Sequence, residues 1–198
     1  MNVDDIMETA NHFRCVDMII DHAKSQLTEK FIKDLHLALK SGTSDSRLSW
    51  FAVGNYKKRP NEVGGLPTAR PSDVPAKIKK LLAEYNAKDE KTLEDILEFH
   101  VQFERIHPFQ DGNGRVGRLI MFKECLRHGI MPFIIDDKRR SRYLRGIKEW
   151  HDDRFEMIDV VMEAQDRFEA QIELQRLHAA GQFFAPVSYQ EGFDDEDE

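Results

Sequence analysis

The chain has 198 residues, 40% of them hydrophobic and 33% charged, and a formal net charge of −7. This size and balance fit one globular domain with a core of its own and exclude collagen-like, disulfide-scaffold and wholly disordered classes. The acidic balance argues against broad nucleic-acid binding, although part of it lies at 194–198. No apolar run reaches the roughly 18 residues that a membrane span needs. The N-terminus carries acidic residues where a signal peptide would have a basic end, so a cytoplasmic protein with no membrane contact is expected. Cys15 and Cys125 stand far apart, with no CxxC or Cys/His cluster, and are expected as core thiols.

Apolar residues three or four apart dominate the sequence, which predicts an all-α fold in one domain over 1–182, followed by an acidic, disordered tail at 183–198. A first helix is expected over 4–24 and a second over 28–40, with Thr28 as N-cap and Gly42 just past the end. The stretch 41–71 collects Gly54, Pro60, Gly64, Gly65, Pro67 and Pro71 and reads as irregular, with 51–56 and 62–66 expected to pair as a small hairpin. Ser72 is expected to cap a helix to 85, with Pro75 tolerated in its first turn. The next helix starts after Thr92, is apolar on more than one face and ends at His107, because Pro108 disfavours helical geometry in the residue before it. A polar loop at 108–114 leads into another hydrophobic helix that stops at Gly129. Two more helices are expected over 138–150 and 154–178. Lys138, Arg139, Arg140 and Arg142 form a basic cluster that either approaches a ligand or covers a solvated helix face. His12, His22, His36, His100, His128, His151 and His178 are assigned structural or surface roles, and Trp50 and Trp150 packing roles.

The run His107-Pro108-Phe109-Gln110-Asp111-Gly112-Asn113-Gly114-Arg115-Val116-Gly117-Arg118 has the makings of a polyphosphate site. Gly112 and Gly114 permit a tight turn that brings N–H groups close to an anion, and Asn113 tolerates left-handed geometry. The loop opens into a helix N-terminus, where orphan N–H groups and the helix dipole favour negative charge. Arg115 and Arg118 lie on one face of the first turn, with guanidinium forks suited to phosphate oxygens. Asp111 offers the hard oxygen that magnesium takes when it also holds substrate phosphates. His107 can accept a proton near neutral pH. A base, a metal ligand and a phosphate cradle in one loop point to a hydroxyl attacking a nucleotide phosphorus. The Walker pattern GxxxxGK[ST] and a strand-borne GxGxxG are absent.

HPFQDGNGRVGR resembles the Fic domain signature, HxFx[DE]GNGRxxR, and matches it at every defined position. The order of features from about residue 27 to 150 is similar to that family as well, including Glu62-Val63-Gly64-Gly65-Leu66 where its members place a β-hairpin flap. The resemblance implies a Fic-type helical bundle that transfers AMP from ATP to a Ser, Thr or Tyr hydroxyl of a target protein, or of itself, with release of pyrophosphate. It implies His107 as general base and Asp111 as holder of Mg2+. It implies Asn113 and the backbone of Gly112 and Gly114 on phosphate oxygens, and Arg115 and Arg118 on the β- and γ-phosphates. Val116 and Gly117 complete the nucleotide-binding run. Val63, Gly64, Gly65 and Leu66 would dock the target by main-chain pairing, Tyr143 and Leu144 would line the adenine pocket, and Phe109 would anchor the loop in the core.

Many members of that family silence themselves with a helix of the pattern [ST]xxxE[GN]. Ser25 and Glu29 have the spacing but are followed by Lys30; Glu191 and Gly192 match, but Val187 stands where the hydroxyl residue belongs. The sequence is therefore expected to be an enzyme without its own inhibitory helix, the inhibitor lying upstream or on a separate antitoxin-like protein. Lys57 stands where relatives often carry arginine. A regulatory nucleotide-binding module is the competing reading, and removal of AMP by the same site is a third. A homo-oligomer is also compatible with the sequence.

Overall fold

The computed structural model describes residues 3–63 and 65–180, and the acidic tail lies outside the described residues. Seven helices follow in order among them: α1 (Val3–Asp21), α2 (Glu29–Lys40), α3 (Val74–Asn86), α4 (Leu93–Ile106), α5 (Asn113–Arg127), α6 (Arg140–Glu149) and α7 (Phe155–Ala179). A single antiparallel hairpin, β1 (Glu62–Val63) with β2 (Leu66–Pro67), lies between α2 and α3. Its register pairs Glu62 with Pro67 and Val63 with Leu66, so the hairpin closes on itself and the expected pairing of 51–56 with 62–66 does not form. Two residues separate the β1 and β2 strands, and Gly65, at φ 76, supplies the left-handed turn. Residues 51–56 instead form turns in which Ala52 and Gly54 take positive φ.

The helix ends follow local chemistry. Thr28 caps α2 by accepting a hydrogen bond from the Phe31 N–H. Thr92 and Asp95 form a reciprocal capping box at the start of α4. The start of α3 differs from the expectation: Asp73, not Ser72, is the N-cap residue, and the Ser72 hydroxyl bonds to the Asp73 carboxylate. α5 begins at Asn113, so Asn113 and Gly114 belong to the helix and not to the loop.

Two apolar clusters form the core among the described residues. One joins α1, α2, α3, α4 and α5 around Ile32, Leu35, Phe103, Phe109 and Val116; the other joins α4, α5, α6 and α7 around Leu97, Val101, Trp150 and Val161. The helices α4 and α5 serve both, which is why apolar residues surround them. Cys15 and Cys125 are buried free thiols. Trp150 is fully buried, whereas Trp50 is partly exposed and stacks against the Arg59 guanidinium. Among the described residues no helix is long and apolar enough to cross a membrane.

Candidate active site

The α4-to-α5 connection lines a cavity of about 570 Å3, a size suited to a small ligand. Pro108 ends α4, and His107 leaves the helix in left-handed geometry, φ 52 and ψ 64, while its N–H still bonds to the Phe103 carbonyl. This bend brings the imidazole to the cavity wall. Nδ1 is 3.2 Å from the Glu104 carbonyl oxygen. A carbonyl only accepts, so Nδ1 carries the proton and Nε2 keeps its lone pair. Burial lowers the His107 pKa, and the charge of Lys57 adds to this against the opposing effects of the Glu104 carbonyl and Asp111. The side chain is thereby kept neutral and able to accept a proton at neutral pH.

The loop is fixed from within. Phe109 is fully buried and stacks on His36, with ring centroids 3.9 Å apart and an interplanar angle of 5°. His36 accepts from the Gly54 N–H at Nδ1 (3.0 Å) and donates from Nε2 to the Asp111 carbonyl (3.2 Å). Asn113 accepts from the Phe109 N–H (2.7 Å) and donates to the Phe109 carbonyl (2.9 Å). Its amide is therefore committed to the loop, and the side chain is not free for the expected contact with phosphate. Gly112, not Asn113, takes the left-handed turn, at φ 79. The N–H groups of Asn113, Gly114 and Arg115 open the first turn of α5 with no carbonyl of their own helix to bond.

The two arginines differ. Arg115 pairs through Nη1 with Glu8 of α1, and its Nη2 is 3.2 Å from Asp111 Oδ2. Arg118 forms no ion pair among the described residues and lies within electrostatic reach of Tyr143 and Glu104. Asp111 also accepts from Lys40 Nζ at 2.8 Å; that ammonium is 2% exposed and serves Glu8 and Asp45 as well. Burial opposes ionisation of Asp111, but the hydrogen bonds from Lys40 and the Gly112 N–H, with the Lys40 and Arg115 charges, outweigh it and hold the pKa low. Both cations engage Oδ2, and the side chain is 53% exposed on the cavity. No cluster of three metal-ligating side chains occurs among the described residues. The single carboxylate of Asp111 beside the α5 N-terminus would suit magnesium, which takes one or two carboxylates when it also holds substrate phosphates.

Tyr143, buried, and Leu144, half-exposed, line the opposite wall with Ile135, Asp136, Asp137, Arg140 and Ile147. Val116 is fully buried in the core and Gly117 packs on Glu104 and His100, so of the expected nucleotide-binding run these two residues stand behind the residues that line the cavity. The hairpin is tied to the loop instead of lining the cavity: Asn61 donates to the Phe109 carbonyl (2.9 Å), and Lys57 reaches Asn61, Thr68 and the Ile106 carbonyl. Val63 is exposed there, and Gly64 lies outside the described residues. Of the basic cluster, Arg139 and Arg142 pair with acids including Glu163, and Arg140 faces the cavity.

Sequence reading missed Glu8, Lys40 and Glu104. Spacing to His107 along α4 was a signal for Glu104, whereas Glu8 and Lys40 reach the loop only through folding.

A sequence profile of the Fic/DOC family matches residues 26–125. Among curated proteins, the chain is 32% identical over 98 residues to Protein adenylyltransferase Fic of Drosophila sechellia, covering 48% of this chain and 20% of that protein. It is 29% identical over 128 residues to the same-named protein of Drosophila erecta, covering 63% and 25%. The chain thus spans about a quarter or less of the length of these relatives. A Fic domain containing signaling protein from Bacteroides thetaiotaomicron superposes with a TM-score of 0.72 at 26% identity, covering 91% of this chain and 74% of that one. Fic-1 of C. elegans shares the fold, with a TM-score of 0.69 at 16% identity over 88% of this chain and 54% of that one. The signature at 107–118, the helical architecture and the profile match agree: this chain belongs to the Fic/DOC family.

Proposed function

We propose that this chain is a protein adenylyltransferase, which moves AMP from ATP to a Ser, Thr or Tyr hydroxyl of a protein target. The observation that carries this reading is a neutral His107, with Nε2 free to accept a proton, in the same cavity as the α5 N-terminus and the Arg115–Arg118 pair. The name of the Drosophila relatives supports it.

The triphosphate of ATP meets the N–H groups that open α5, where the helix dipole favours negative charge. Arg118 neutralises terminal phosphate oxygens, and Arg115 joins it when Glu8 is displaced. Asp111 would hold the magnesium ion, whose chemistry when bound is charge neutralisation on the phosphates. Tyr143, Leu144 and Ile147 offer the adenosine a partly apolar wall. The hairpin 62–67 offers its backbone to an extended target segment, a tolerant form of β-augmentation. His107 Nε2 accepts the hydroxyl proton as the hydroxyl oxygen bonds to the α-phosphorus. The bond from that phosphorus to the bridging oxygen breaks, and pyrophosphate leaves with the bonding pair. Catalysis here is positioning and charge neutralisation.

Incubation with magnesium and ATP labelled at the α-phosphate, with and without cell lysate, tests the reading on a denaturing gel. Label on protein with the wild type and none with His107→Ala is expected. ATP binding without any labelled protein would overturn it in favour of a regulatory module.

A further inference from the structure

Glu104 lies three residues before His107 on α4, one turn back on the same face, and its Oε2 is 3.7 Å from His107 Nδ1. Its other oxygen, Oε1, is buried without a hydrogen-bond partner, as is Nδ1 of His100 one turn further back. Both atoms press against one backbone position: a Cβ on Gly117 would sit 2.7 Å from Glu104 Oε1 and 2.9 Å from His100 Nδ1. His100 Nε2 is 2.5 Å from the Tyr143 hydroxyl. A line of polar groups therefore runs behind the cavity from one wall to the other through His107, Glu104, His100 and Tyr143. Buried polar groups left unpaired are rare and costly, and an apolar residue at 104 would carry no such cost. The carboxyl needs a reason to be there, and the base beside it supplies one.

We infer that Glu104 is a positioning residue for His107: beside its own main-chain carbonyl, which holds the Nδ1–H tautomer, its carboxylate stands 3.7 Å from Nδ1 and favours the imidazolium that forms when Nε2 takes the target hydroxyl's proton. This rests on the adenylyl-transfer reading. When that proton reaches Nε2, the imidazolium charge faces the Glu104 carboxylate in a site where burial strengthens the attraction. The groups around the carboxyl are His100 and His107 from α4, Arg118 from α5 and Tyr143 from α6, with Lys57 and Asp111 acting on His107 from the loops. Burial raises the Glu104 pKa to about 7 against the partial offset of Arg118, so the carboxyl is ionised only above neutrality. The transfer rate is then expected to climb twice: once as His107 loses its proton below pH 6.5, and again through about pH 7 as Glu104 ionises.

The test pairs NMR titration of the His107 imidazole with transfer rates from pH 5.5 to 9, in the full chain and in Glu104→Gln. The expected results are a second inflection of the His107 resonance near pH 7 that is absent in Glu104→Gln, and a kcat loss of about tenfold above pH 7.5 that vanishes below pH 6 while KM for ATP stays within about twofold. An unchanged imidazole titration, or a loss equal at every pH, would overturn the inference. Should the variant fold poorly, the wild type alone decides, since the His107 resonance must show a second inflection near pH 7. Absence of transfer in the wild type would sink the proposed activity, yet the imidazole titration would still report on Glu104.

Discussion

Glu8 and Arg115 meet across 107 positions of sequence, the carboxylate of α1 pairing with a guanidinium on the first turn of α5. The pair occupies one of the two arginines of the proposed phosphate cradle, and leaves Arg118 without an ion pair among the described residues.

Freeing Arg115 should therefore tighten nucleotide binding. Glu8→Gln is expected to improve the affinity for a non-hydrolysable ATP analogue by about two- to fivefold, the range for removing one partly exposed competing carboxylate. Isothermal titration in magnesium would show it. Unchanged affinity would mean that the phosphates do not use Arg115.

His36 is the inner support of the loop between α4 and α5. His36→Ala removes the Phe109 stack, the acceptor of the Gly54 N–H and the donor to the Asp111 carbonyl, so a loss of about 2–4 kcal/mol is expected in urea denaturation.

The same residue predicts acid sensitivity. Burial lowers His36 to about 4 and His100 to about 3, so between these values and the ordinary 6.5 the unfolded chain binds more protons than the folded one. Stability from both histidines is full above pH 6.5 and is lost as pH falls from there towards 4. Glu104, raised to about 7, acts in the opposite sense between 4.5 and 7 but counters only one of the two. Urea midpoints should fall from about pH 6 to 4.5, and less steeply in His36→Gln if that variant folds. A flat profile in the wild type would contradict the buried neutral histidines.

Gly146 sets the crossing of α6 over α7. A Cβ there would lie 2.8 Å from Met157 Cβ and 2.9 Å from Met157 Cα, and backbone cannot swing aside as a side-chain tip can. Gly146→Ala is expected to cost about 1–3 kcal/mol by overpacking and to displace the wall carrying Tyr143 and Leu144, weakening nucleotide binding. Thermal unfolding and the same titration would check both parts.

Much of the site was legible in sequence because its chemistry is local. Residues 107–118 are one loop and one helix start, so proline, glycine and arginine spacing define the bend, the helix N-terminus and the paired guanidinium groups within a dozen positions. Helix periodicity and the caps at Thr28 and Thr92 likewise act within a few residues. What needed the tertiary structure were the choices between partners. The Asn113 amide could serve a phosphate or the Phe109 backbone, and the packing of Phe109 into the core beneath the loop settled it. Residues 62–63 could pair with 51–56 or with 66–67, and the shorter loop closure prevailed. Lys40 and Glu8 sit on helices whose own periodicity says nothing of Asp111 or Arg115, and only the packing of α1 and α2 against α5 brings those charges together. Sequence determined which groups could do the chemistry, because covalent neighbours fix local geometry; tertiary structure decided which of them are engaged, because burial and long-range charge exist only in the folded chain.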